Sequence, residues 1–157
     1  MFDKDAYKIP KLRKEFLVQL NDGSKILQNI IFFLNEFSRY SGQKQSILEY
    51  LNDKTTAFIP AMQLLADRKE HFMILNKNEI CYLIDETVHP IYDPEQKEAV
   101  FLLASGHKFS AYVYQKTPKE QSRIIDFLSS DEQFIELAQD GKNFIYLNKN
   151  HILKVFP

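Results

Sequence analysis

Two asparagine-lysine pairs are the residues of this chain whose types and repetition first suggest chemistry. The tetrapeptide Leu-Asn-Lys-Asn is written twice, and its central residues are Asn76-Lys77 and Asn148-Lys149. Amide donors beside an ammonium group suit an anion such as a phosphate or a carboxylate. Asn76, Lys77, Asn148 and Lys149 are therefore the candidate ligand-binding residues. The simpler alternative is a repeated tight turn, in which asparagine is favoured and each lysine is solvated.

The four histidines and the single cysteine form no recognisable metal or catalytic motif. None of them lies at H-x-x-H, H-E-x-x-H or C-x-x-C spacing. His107 and His151 can meet only through folding, and Cys81 falls within an apolar strand pattern that is typical of a small buried side chain. The sequence therefore predicts no catalytic residues, no metal and no cofactor, and we expect the protein not to be an enzyme.

A run of basic residues near the start of the sequence is the feature that suggests nucleic acid. It consists of Lys4, Lys8, Lys11, Arg13 and Lys14, with Tyr7 among them. Basic and aromatic residues that alternate in this way can bind single strands. Acidic neighbours dilute the run, and the net charge of −1 argues against a dedicated nucleic-acid binder. A solvated amphipathic arm is the alternative.

Composition predicts a cytoplasmic domain with no membrane partner. The chain has 157 residues, of which 45% are hydrophobic, enough for a packed core. One cysteine excludes an intrachain disulfide, which fits a reducing compartment. The first residues lack the apolar segment of a signal peptide, and the longest apolar run, at 30–34, is too short to span a bilayer.

The two tetrapeptides close two halves of the chain that match in several ordered blocks. The blocks are 18–26 with 100–109, 47–53 with 124–130, and 57–64 with 133–140. Because the order is kept and both series end in the same tetrapeptide, the pattern indicates an internal duplication. The predicted organisation is an N-terminal arm at 1–14, a first repeat at 15–84, a linker at 85–97 and a second repeat at 98–157, with both repeats packed as one body.

Each repeat is predicted to have the order β-β-α-β-β-β. Apolar alternation predicts two strands around a glycine turn, at Gly23 and at Gly106. A helix is expected from about Ser41 to Leu51, and its counterpart after a cap at Thr117. The last two strands flank the Asn-Lys-Asn turn.

One segment of each repeat fits a helix or a strand by composition. The segment at 129–141 has a serine start and a glycine stop, as helices often do. Its partner at 55–65 carries Pro60 in the middle, which opposes a helix interior. If both halves share a fold, both segments are strands, and we predict strands.

The predicted fold class is α+β and β-rich. Two tandem units would form small bent barrels or half-open sheets. A unit of about 60 residues buries little apolar surface by itself. We therefore expect the two units to pack against each other around a pseudo-twofold axis.

The repeats resemble the Sm-like (LSM-like) barrel within the wider group of SH3-like barrels. "LNDGSKI" and "LASGHKF" are similar to the opening of the first Sm motif, and "ILNKNEICYLI" and "YLNKNHILKVF" are similar to the strand pair of the second. Sm proteins place a helix before their first strand, whereas here it follows the second. The Arg-Gly of the second Sm motif is replaced by Asn76-Lys77 and Asn148-Lys149. The resemblance also extends to an uncharacterised group of small bacterial proteins with a similar Leu-Asn-Lys turn.

Three functions follow for testing. The first is a non-enzymatic interaction or assembly module, with a protein partner or self-association through unpaired strand edges. The second, implied by the Sm-like resemblance, is binding of RNA or single-stranded nucleic acid. The third is a small-ligand enzyme with a site between the repeats.

Overall fold

The computed structural model describes residues 11–36, 38, 42–87, 98–113, 124–139 and 143–157. The first half contains strands β1 (Lys11–Leu20), β2 (Leu27–Asn35), β3 (Phe58–Leu64), β4 (Glu70–Asn76) and β5 (Ile80–Asp85), with helix α1 (Ile47–Leu51). The second half contains β6 (Glu98–Leu103), β7 (Lys108–Val113), β8 (Phe134–Gln139), β9 (Asn143–Asn148) and β10 (Ile152–Phe156), with helix α2 (Ile124–Leu128). Several predicted features lie outside the described residues. They are the cap at Thr117, the members Lys4, Tyr7 and Lys8 of the basic run, and most of the predicted linker.

The ten strands of the described residues all belong to one antiparallel sheet, in the order β10-β6-β7-β8-β9-β5-β1-β2-β3-β4. The predicted α+β fold of two tandem β-β-α-β-β-β units, each a small barrel or half-open sheet, is therefore wrong, because the chain is essentially all-β and its described strands form one sheet. The two described helices have only five residues each. The halves are not separate sheets because β5 pairs with β9, from Tyr82 opposite Leu147 to Asp85 opposite Phe144. This pairing makes one ladder of both halves.

The two halves place their strands in the same sequence-to-space order. The first half runs β5-β1-β2-β3-β4 across the sheet, and the second runs β10-β6-β7-β8-β9. The strands that meet, β5 and β9, are therefore not counterparts of each other. A twofold axis would also pair β10 with β4, yet these strands lie at opposite ends of the sheet. The predicted pseudo-twofold arrangement is wrong, and the halves are joined head to tail.

Backbone hydrogen bonds show which residues of the first half occupy the same structural positions as residues of the second half. The amide of Asn21 donates to the carbonyl of Glu79 at 2.9 Å, and the amide of Ala104 donates to that of His151 at 2.9 Å. The strand pairs opposite them also match, since Leu20 lies opposite Ile80 and Leu103 lies opposite Ile152. In each pair of strands the register shifts at the same point, next to these residues.

The ambiguous segments are strands in both halves, as predicted. Pro60 lies in β3 opposite Ile74 of β4, and its side chain is exposed. The helix expected from about Ser41 begins later, because Ser46 is the N-cap and accepts a hydrogen bond from the amide of Glu49 at 3.1 Å. The helix is therefore only five residues long, from Ile47 to Leu51.

The hydrophobic core has two clusters, and they differ in what completes them. The first cluster is built on β1, β2, β3 and α1 of the first half and also takes in side chains from the second half: Tyr112, Phe134, Ala138, Phe144 and Tyr146. The second cluster is built almost wholly from the second half, and Cys81 is its buried contribution from the first. The second half thus closes the first core, while little from the first half closes the second.

Candidate functional site

Each repeated tetrapeptide forms a corner between two strands. We call residues 76–80 the first corner and 148–152 the second corner. A single turn of 3-10 helix, Lys77–Glu79 or Lys149–His151, links the strands. The side-chain oxygen of Asn76 accepts from the amide of Asn78 at 3.1 Å. The corresponding bond from Asn150 to Asn148 is 3.0 Å long.

Both segments form turns, as predicted, but Lys77 is buried and not solvated. Asparagine also serves the turn in another way than a left-handed backbone. Asparagine is often favoured in tight turns because it tolerates left-handed backbone. Asn76 and Asn148 instead have φ of −75° and −76°, which is ordinary extended backbone. Asparagine is repeated because its side chain caps the 3-10 turn.

The two lysines hold the loops that follow the short helices. The Lys77 ammonium donates to the carbonyl of Asp53 at 2.6 Å. That of Lys149 donates to the carbonyls of Ser130 at 2.5 Å and Leu128 at 3.3 Å. Burial lowers the pKa of both lysines. Anion binding by Asn76, Lys77, Asn148 and Lys149 stays a prediction, and their observed contacts are to protein groups.

The two corners lie against each other where β5 meets β9. Asn148 is fully buried, and its side-chain nitrogen, Nδ2, donates to the backbone carbonyl of Ile80 at 3.0 Å. His151 Nε2 lies 2.5 Å from the carbonyl of Asn78, and Gln133 donates to the Asn78 side chain at 2.8 Å. The structure therefore brings Asn148 to the first corner. Sequence reasoning missed Gln133 and His151, since their partners lie in the other half.

A small charged group lies close to the same junction. The Lys14 ammonium is 3.2 Å from the buried carboxylate of Asp85. Burial works to raise the pKa of Asp85, but hydrogen bonds from Thr87 and the charge of Lys14 leave that pKa below its usual value. Burial raises the pKa of Glu136, which lies opposite Tyr146 across β8 and β9. The ion pair between Lys14 and Asp85 thus joins β1 to β5 close to the junction between the halves.

Metal-binding groups do not converge in the described part of the chain. Within those residues no three histidine, cysteine or acidic side chains are placed to hold a metal ion. Cys81 is buried, and His107 Nδ1 lies 2.8 Å from the hydroxyl of Ser105. An open polar depression of about 600 Å³ beside α1 is lined by residues that include Glu49, Asp53 and Glu132. Its described lining contains no histidine.

Among the described strands, β4 and β10 form the two outer edges of the sheet, which we call its free edges, and both carry exposed apolar side chains. At one edge Phe72 and Ile74 of β4 are 72% and 74% exposed, and Phe58 of the adjacent β3 is 62% exposed. We call these three residues the β4 edge patch. At the other edge Leu153 and Phe156 of β10 are also exposed. Exposed apolar side chains on an unpaired strand are a recognised site of association.

The counterparts of the β4 edge patch are buried inside the chain. Phe144 and Tyr146 occupy the places in β9 that Phe72 and Ile74 occupy in β4, and they are 9% and 6% exposed. Phe134, the counterpart of Phe58, is completely buried. The side chains of β9 are buried because β9 pairs with β5 and so lies inside the sheet, whereas β4 lies at its edge. The sequence does not distinguish the two strands, since "HFMILN" and "NFIYLN" are both apolar on both faces.

Comparison with known proteins does not place the chain in a family. No family model matches it, and neither the curated proteins nor the solved structures contain a significant match. Among the described residues, no helix has the length and apolar character required to cross a membrane.

Proposed function

We propose that the protein is a non-enzymatic assembly module that associates with further copies of itself through the free edges of its sheet. The observation that carries the proposal is the contrast between Phe72 and Ile74, which are exposed on β4, and Phe144 and Tyr146, which are buried on β9. The exposed pair has the chemical character of an interface and lacks only a covering strand.

Internal duplication of a five-strand unit is part of the proposal. It is supported by the matching strand order of the two halves and by the matching bonds of Asn21 and Ala104. The Sm-like resemblance supplies a candidate ancestor for that unit. On this view, duplication inside the chain covered one copy of each interacting edge and left the other copy of each edge free.

The contacts of β1 favour assembly over binding of single-stranded nucleic acid. Arg13 stacks over the ring of Phe33 at 5.8 Å, and Lys14 pairs with Asp85. The Lys11 ammonium also donates to the side-chain oxygen of Asn35 at 2.5 Å, so three members of the basic run are engaged with the sheet. The run would have to release these contacts, or rely on its other lysines, to bind a phosphate backbone.

The test is sedimentation velocity over a range of protein and salt concentrations. The wild-type chain should associate, and association should change little between low and high salt because the buried surface is apolar. Ile74→Lys should shift the chain towards the monomer, since it places a charge on the pairing edge. The matched control is Leu64→Lys, which adds the same charge to an exposed apolar position at the other end of the β3–β4 hairpin.

Two outcomes would reject the proposal. One is a wild-type chain that stays monomeric at every concentration. The other is association that is equally sensitive to Leu64→Lys and Ile74→Lys. Binding of single-stranded oligonucleotides that falls steeply with salt would support the nucleic-acid alternative instead.

A further inference from the structure

We infer that the partner strand for β4 is β10 of a second copy, paired antiparallel in the register that β5 and β9 already use within the chain. This inference rests on the proposed function and specifies its interface. It assigns the two free edges to each other, so that copies join head to tail. The reasons are the chemistry of the internal junction and the correspondence of the four strands.

The internal junction supplies the register. Leu83 lies opposite Tyr146, and Ile84 lies opposite Ile145. The counterparts of Leu83 and Ile84 are Val155 and Phe156, because Val18 pairs with Leu83 as Phe101 pairs with Val155. Transferring the pairs to the free edges places Val155 of one copy opposite Ile74 of the next, and Phe156 opposite Met73.

The second core is the surface that this pairing would complete. In the first core, Tyr146 from the second half packs edge-on against Phe16 at 6.3 Å between ring centroids. The second core has Ile152 and Val155 at its margin, both partly buried. Phe58, Phe72 and Ile74 of a second copy would lie over that margin, in the places that Phe134, Phe144 and Tyr146 hold over the first core.

The helices support the same arrangement. Asn52, at the end of α1, clasps Phe134 through two hydrogen bonds, donating to its carbonyl at 3.1 Å and accepting from its amide at 2.8 Å. The counterpart of α1 is α2, whose Ile125 is exposed although Leu48, in the matching place, is partly buried. A second copy that brings Phe58 to α2 would cover this side chain.

The external junction is expected to be weaker than the internal one. The histidine that contacts Asn78, His151, corresponds to Glu79, which has no imidazole N–H to donate in the matching place. Lys154 takes the place of Tyr82, which packs against Phe109 at 5.7 Å. These differences leave the apolar contacts in place and favour an assembly that is reversible with concentration.

Joining unlike edges has a geometric consequence. A contact between two like edges stops at a dimer, whereas a head-to-tail contact leaves a free β4 and a free β10 at the ends of every open assembly. Further copies then add until the rotation between them closes a ring. If it does not close, the assembly is an open filament.

Disulfide trapping tests the assignment directly. The parent is Cys81→Ala, which removes the buried thiol, and two single variants are made on it, Ile74→Cys and Val155→Cys. Residues directly opposite each other on antiparallel strands lie within disulfide range. The control is Glu70→Cys, an exposed position on the same strand four residues from Ile74, or roughly 13 Å along it.

A mixture of Ile74→Cys and Val155→Cys chains should form a covalent dimer under mild oxidation, and neither variant alone should do so. Replacing Ile74→Cys with Glu70→Cys in the mixture should reduce the cross-linked fraction at least tenfold. Cross-linking of Ile74→Cys with itself would show that like edges pair, and would overturn the inference while leaving self-assembly intact. Equal cross-linking at Glu70→Cys would overturn the register.

A charge swap provides a second measurement that needs no oxidation. Ile74→Lys and Val155→Glu should each weaken association at least tenfold when studied alone. Their mixture should recover a complex of two chains, because the unaltered β4 of the Val155→Glu chain can pair with the unaltered β10 of the Ile74→Lys chain. Growth beyond two chains would also require the lysine of one chain to face the glutamate of the other. Failure of the mixture to associate, in folded variants of a chain that associates as wild type, would contradict the pairing. A monomeric wild-type chain would instead reject the proposed function itself.

Discussion

Strands β4 and β9 end in the same residues but lie in different surroundings. Both finish with Leu-Asn and enter the same capped corner. In β9 the face opposite its own half's core is covered by the first half, so Phe144 and Tyr146 join the first core. In β4 no other described strand covers the same face, and Phe72 and Ile74 remain exposed. The difference shows that pairing of β9 with β5, and not local sequence, decides which aromatic side chains are core.

Truncating the aromatic residue at corresponding places should give the largest contrast. Phe144→Ala should lower the free energy of unfolding by about 3 kcal/mol, since it leaves a cavity in the first core. Phe72→Ala should change it by less than about 0.5 kcal/mol, because the ring is already in solvent. Urea denaturation at a protein concentration where the chain is monomeric measures both.

Self-association of the same two variants should rank them in the opposite order from their stability. Phe72→Ala should weaken self-association, while Phe144→Ala, in protein that is still folded, should affect it less. Equal losses of stability at both positions would contradict the asymmetry between the two strands.

Local features of the sequence predicted the local structure well. Alternation located the strands, Pro60 decided the segment at 58–64, and Gly23 and Gly106 do adopt left-handed backbone, with φ of +73° and +94°. These features depend on backbone sterics and on neighbours a few residues away, so a single sequence contains them.

The joining of the halves could not be predicted in the same way. Alternation shows which face of β5 is apolar but not which strand will lie beside it, since β4 and β9 offer nearly the same edge. Two separate units and one continuous sheet satisfy the same pattern. The role of Asn148 was also hidden, because its partner Ile80 is contributed by the other half.

The two corner asparagines should differ by less than the aromatic pair. Asn76→Ala removes one cap and should cost about 1 kcal/mol of unfolding free energy. Asn148→Ala removes the same cap and also the buried hydrogen bond to Ile80, and should cost about 2–3 kcal/mol. Thermal and urea unfolding measure the difference. If the two variants lose equal stability, the contact between the corners contributes nothing measurable.

The glycine turns provide the opposite test, because here the halves should behave alike. Gly23 and Gly106 both have positive φ, and a Cβ built on either would meet no atom within 4 Å. Valine at either position should therefore cause no steric clash. The strain of a positive φ alone should lower the free energy of unfolding by on the order of 1–2 kcal/mol. Gly23→Val and Gly106→Val should give equal losses in urea denaturation. A loss at only one of them would show that the two turns, and therefore the two halves, are not built alike. The correspondence between the halves, on which the comparison of β4 with β9 depends, would then not extend to these turns.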